Sequence, residues 1–107
     1  MSGFSDREKE FESKFKLDQE LRFKVTVRRN KLAGLWAAGL LGLAGEEAEG
    51  YARSVVEADF DRPGDEDVVE KLAKDFAAKG VDVSEHRIRK ALEEKFEEAR
   101  GQIMRGE

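Results

Sequence analysis

The sequence predicts an all-α protein: a four-helix bundle with a mobile N-terminal segment that becomes helical on binding. Three observations support this. Apolar residues recur at helical spacing along the whole chain, and strand-like alternation appears only at Phe23, Val25 and Val27. Charged residues make up 41% of the 107 positions and the aliphatic and aromatic set 39%, a balance suited to helices with wide solvated faces. The breaks between periodic stretches are short, marked by glycines and by the single proline, Pro63.

The first element begins in a charged leader. Ser5 followed by Glu8 reads as a capping box, and Glu10–Lys14 and Glu12–Lys16 are favourable i,i+4 pairs. Leu17, Leu21, Val25, Leu32, Leu35, Trp36 and Leu43 then share one sector at 100° per residue and form the expected core stripe. Phe11 and Phe15 fall about a quarter-turn from its centre, and Phe4 precedes the cap. In GLWAAGLLGLAG, residues 34–45, the glycines suit close helix packing, with Gly42 or Gly45 ending the helix. The absence of a Gly-Lys-Ser/Thr ending and of a preceding strand argues against a phosphate loop.

The second helix opens on Glu46 and Glu47 and turns Ala48, Tyr51, Ala52, Val55, Val56 and Phe60 inward. Pro63-Gly64 interrupts the pattern, and Asp65 is placed to cap a third helix that buries Val69, Leu72, Ala73 and Phe76 and stops at Gly80. Ser84 caps the fourth helix, Val83 is set to staple against Ile88, and Leu92, Phe96, Ala99 and Ile103 continue its inner face. This divides the chain into an N-terminal segment, 1–19, and a bundle, 20–107. Short connections between four helices imply antiparallel neighbours.

Composition excludes several functions. A net charge of −4 argues against nucleic acid as the main partner, and zero cysteines exclude disulfides and thiolate metal sites. The N-terminus lacks an apolar signal core, and the apolar run Leu32–Ala44 is too short for membrane insertion, so the expected location is cytoplasmic. The lone His86 reads as a surface residue, and the serines have no recognisable base motif. The chain reads as a non-enzyme without a cofactor.

Two local features leave alternatives open. Residues 59–70, DFDRPGDEDVVE, resemble a calcium-binding EF-hand loop, with Asp59, Asp61, Gly64, Asp65, Asp67 and Glu70 at its ligand and turn positions. Pro63 takes a position that normally supplies an oxygen and Glu66 replaces an apolar residue, so an acidic turn is the stronger reading and no metal is assigned. The second feature is a stretch, residues 21–32, that holds Arg22, Lys24, Arg28, Arg29 and Lys31 without an acid. It suits a solvated face, a collar for an acidic or phosphorylated partner, or weak nucleotide binding or docking through Arg28, Arg29 and Lys31.

The leader carries three of the seven phenylalanines among its charges. An isolated helix of this length is marginal in water, and burying three rings does not match the entropy of ordering the segment. Coupled folding and binding in a partner's groove is the physical reading; folding back on the bundle is its alternative.

The stretches FSDREKEFESKF and LRFKVTVRRNKLAGLWAAGLLGLAGEEAEGYARSVVEADF resemble the zeta subunit of alphaproteobacterial F-type ATP synthase, the small inhibitor of ATP hydrolysis. The likeness runs essentially end to end. It implies a segment, about Ser2 to Gln19, that becomes helical on entering an alpha/beta catalytic interface and approaches the gamma rotor. On this resemblance Phe4, Phe11 and Phe15 are apolar anchors, and Arg7, Glu8, Glu12 and Lys14 are polar contacts. Arg28, Arg29, Asn30 and Lys31 lie beyond the insert and are expected to support docking or the fold. The location implied is the cytoplasmic face of the membrane-bound synthase. Arg28 is a misfit in the core stripe.

Overall fold

The computed structural model describes the backbone of residues 2–61 and 64–107 and the side chains of residues 19–59 and 64–107. Four helices follow one another: α1 (Ser2–Leu40), α2 (Gly45–Asp61), α3 (Asp65–Ala78) and α4 (Glu85–Met104). No strand occurs among the described residues. α1 packs on α2 and α4, and α3 on the same two helices from the far side. Asn30 meets Asp59 while Gly34 meets Ala52, and Arg28 meets Gln102 while Trp36 meets Arg87, so each neighbour of α1 runs antiparallel to it. The result is an up-down-up-down bundle.

α1 has 39 residues, about 58 Å of helix, and the protein measures 66 × 25 × 22 Å. The helix starts at Ser2, upstream of the capping box read at Ser5. No glycine or proline interrupts it between Phe4 and Ala33, so nothing in its sequence forces a break. It joins the bundle at Val25, the first buried side chain among the described residues; Arg22, Phe23 and Lys24 are exposed. The helix ends in a Schellman turn: the Leu43 amide donates to the Ala38 carbonyl at 2.8 Å, with Gly42 at φ +79°.

The core contains Val55, Val68, Leu72, Phe76, Ile88 and Leu92, packed against Ala33 and Ala37 of α1 and Leu41 just beyond it. Each such large side chain contributes about 1.5–3 kcal/mol when fully buried. Trp36 stands edge-on to Phe76, ring centroids 5.8 Å apart. The expected leucine stripe of α1 is therefore displaced. Leu32, Leu35, Trp36 and Leu43 are half-buried, while Ala33, Gly34, Ala37 and Ala38 face the centre. The cause is close approach: a Cβ on Gly34 would lie 2.6 Å from the Ala52 Cα. Small residues let α1 press on α2, and the larger ones flank the contact. Gly39, by contrast, has open space around it and makes no close packing.

The later helices follow the expected pattern closely. Ala52 and Val55 of α2 are buried, as are Val68, Val69, Leu72 and Phe76 of α3 and Ile88, Ala91, Leu92 and Ala99 of α4. Tyr51, Val56, Phe96 and Ile103 are half-buried, and the Phe60 side chain lies outside the described residues. The Ser84 hydroxyl accepts from the Arg87 amide at 3.1 Å, the expected cap. Asp65 does not cap α3; Gly64 precedes the helix and the Asp65 carboxylate is taken by an arginine of α1.

Candidate functional site

Where α1 joins the bundle, three consecutive residues each grip a different helix. Arg28 donates to the Gln102 side chain and to the Glu107 carbonyl, both at 2.8 Å, at the C-terminal end of α4. Arg29 donates to Asp65, the first residue of α3, at 2.9 Å. Asn30 donates from Nδ2 to Asp59 Oδ2, in the last turn of α2, at 2.9 Å. Arg29 also donates from Nε and Nη2 to the Asn30 side-chain oxygen Oδ1, at 3.1 and 2.8 Å, which ties the clamps together.

The centre of this cluster is buried. Arg29 is 6% exposed and Asn30 1%. Buried polar groups cost free energy unless hydrogen-bonded, and here nearly every donor and acceptor finds a partner. The exception is Asp59 Oδ1, buried without a hydrogen bond among the described residues.

The sequence left Arg28, Arg29 and Lys31 open as a solvated face, a docking or nucleotide-binding surface, or support for the fold, and the structure gives the three different surroundings. Arg28 is half-buried and committed to α4, Arg29 is committed to α3, and Lys31 is exposed with no ion pair among the described residues. The misfit at Arg28 thus has its reason: it closes the end of the α1–α4 contact. Burial of Arg29 and Asn30 was missed because both score as polar. Their signal was positional: residues 29, 33 and 37, and residues 30, 34 and 38, are i,i+4 ladders running into small apolar residues.

The calcium reading requires correction. α2 continues through Asp61 and α3 starts at Asp65, so Asp65, Asp67 and Glu70 sit on a helix and not around a twelve-residue loop. Asp59 and Asp65 are already engaged by Asn30 and Arg29. Among the described residues no group of three or more acidic or histidine side chains could hold a metal ion. The Asp61 side chain lies outside the described residues, and Arg62 and Pro63 do so entirely.

Beside the collar, α1 and α4 border a groove of about 1080 Å³ whose walls include Arg22, Thr26, His86, Lys90, Glu93 and Phe96. His86 is exposed there and makes no hydrogen bond or ion pair among the described residues. No described helix is long and apolar enough to cross a membrane.

The segment read as partner-binding precedes all of this. Residues 2–19 form the first half of α1, in one unbroken helix with the collar. The side chains of Phe4, Arg7, Glu8, Phe11, Glu12, Lys14 and Phe15 lie outside the described residues.

Comparison with known proteins finds a family and a similar solved structure. The family model for ATPase inhibitor subunit zeta matches residues 1–102. A protein whose structure was solved by solution NMR is 41% identical, with a TM-score of 0.72 over 81% of this chain and 99% of its own. No curated protein matches the chain.

Proposed function

Because the chain belongs to the ATPase inhibitor subunit zeta family, we propose that it is a non-enzymatic inhibitor of an F-type ATP synthase. It blocks ATP hydrolysis by inserting the helix of residues 2–19 at an alpha/beta catalytic interface, against the gamma rotor. The observation that carries this reading is the family match, which includes the leader as well as the bundle. The helix continuous from Ser2 into the bundle supports it further, because a helix of this kind can present one face to a groove. Phe4, Phe11 and Phe15 supply the apolar anchors and Arg7, Glu8, Glu12 and Lys14 the polar contacts. The segment is mobile when free and helical when bound, and the protein works at the cytoplasmic face of the synthase.

A leader peptide covering residues 2–19 should inhibit ATP hydrolysis by the matching catalytic head. Deleting those residues should abolish inhibition and leave the bundle folded. Pull-down from a cell extract should retain the alpha and beta subunits. Full inhibition by the deleted chain would overturn the reading.

A further inference from the structure

We propose that Arg28, Arg29 and Asn30 are positioning residues for the inhibitory helix, forming a collar from which α1 grows outward toward the leader. The inference rests on the function proposed above and adds to it a role for the bundle. Three consecutive residues bond the last turn of α2, the first residue of α3 and the last turn of α4. Together they leave α1 no free rotation or tilt at the point where it leaves the core. Hydrophobic packing alone would not do this, because the neighbouring contacts are small and smooth: Ala33, Gly34, Ala37 and Ala38.

A fixed helix end has a direct consequence. Starting a helix is the costly step, and extending an existing one adds a hydrogen bond for each residue ordered. A leader attached to a clamped helix needs only extension, whereas the same leader as a free peptide must also nucleate. The stretch from Phe4 to Ala33 contains no glycine or proline, so extension meets no strong breaker on the way. The collar also fixes which way the helix faces, so the leader meets its groove with less orientation to lose.

The donor–acceptor pattern offers a specific test in the full-length chain. Asn30→Asp sets two carboxylates against each other at the Asn30–Asp59 contact. Adding Asp59→Asn restores a donor–acceptor pair in reverse. Lys24→Pro is a second, independent variant; Lys24 is exposed and lies upstream of the buried Val25, so the collar and the leader sequence both remain. Amide secondary shifts of residues 19–24 report helix in the free protein, Trp36 emission reports the folded bundle, and ATP hydrolysis by the catalytic head reports inhibition.

Asn30→Asp is expected to lose helical shifts upstream of Val25 and to inhibit about tenfold more weakly. The double exchange should recover most of both losses, and Lys24→Pro should match the single variant. A merely structural role would lower stability without moving the shifts or the inhibition while Trp36 emission stays native. Wild-type shifts and inhibition in Lys24→Pro, or no recovery in a folded double variant, would overturn the inference. If the wild-type chain left hydrolysis untouched, the function proposed above would fall, and the amide shifts would still decide the collar.

Discussion

The Asn30 amide donates to Asp59 Oδ2 at 2.9 Å, while Asp59 Oδ1 is buried without a hydrogen bond among the described residues. The pair is thus asymmetric. Both polar atoms of the Asn30 side chain have partners, Oδ1 accepting from Arg29 and Nδ2 donating to Asp59, and the aspartate is only half satisfied. Asn30→Leu should therefore destabilise the bundle strongly, by about 2–4 kcal/mol, because it strands both the carboxylate and the Arg29 Nε and Nη2 donors. Asp59→Asn keeps an oxygen for Asn30 and removes a buried charge, so its cost should stay under about 1 kcal/mol. Urea titrations with unchanged slope would measure both. Equal losses in the two variants would contradict the asymmetry.

Gly34→Ala tests the closest helix contact. Alanine normally favours a helix by about 1 kcal/mol over glycine. Here the added Cβ would meet the Ala52 Cα at 2.6 Å and the Val55 Cγ2 at 3.3 Å. Backbone cannot yield as a side-chain tip does, so α1 and α2 must separate. The net expectation is a loss of about 1–3 kcal/mol by thermal unfolding. Gly39→Ala, with open space around that position, should instead stabilise the helix.

These two sites show what could be read in the sequence and what could not. α2, α3 and α4 carry large apolar residues at helical spacing, and Val55, Leu72, Phe76 and Ile88 are buried. In α1 the same rule selected Leu32, Leu35 and Trp36, yet the smaller Ala33, Gly34 and Ala37 occupy the centre. Periodicity rewards size, whereas a helix held close to its neighbour buries its smallest face. The collar was hidden for a related reason. Arg29 and Asn30 look solvated until Asp65 and Asp59, more than a quarter of the chain away, arrive beside them. The capping Ser84 was legible because its partner is only three residues along.

Ser84→Ala should remove the hydrogen bond to the Arg87 amide and little else, since Ser84 is exposed. The expected cost is about 1 kcal/mol, or a few degrees in Tm. Ser84→Asp should retain most of the stability, because a carboxylate accepts the same amide and favours the helix N-terminus. A loss in Ser84→Asp as large as in Ser84→Ala would indicate another role for the hydroxyl.

Tyr51 should give the bundle a distinctive alkaline dependence. Its hydroxyl donates to Asp75 Oδ2 at 2.7 Å, and Lys71 approaches the same carboxylate at 3.1 Å. Burial, followed by the hydrogen bond to Asp75 and its negative charge, pushes the phenol well above its ordinary value near 10. The folded state therefore holds the proton at a pH where the unfolded chain releases it. Stability from this group is complete below the unfolded value and falls as pH rises past about 10, by up to roughly 1.4 kcal/mol per unit. Tyr51→Phe removes the proton, so its stability should fall less steeply above pH 10, although it loses about 1 kcal/mol at neutral pH with the hydrogen bond. Lysines titrate over the same range in both chains, which is why the difference between the two urea midpoint curves carries the test. Parallel curves above pH 10 would mean that the phenol ionises equally readily in the folded and unfolded states.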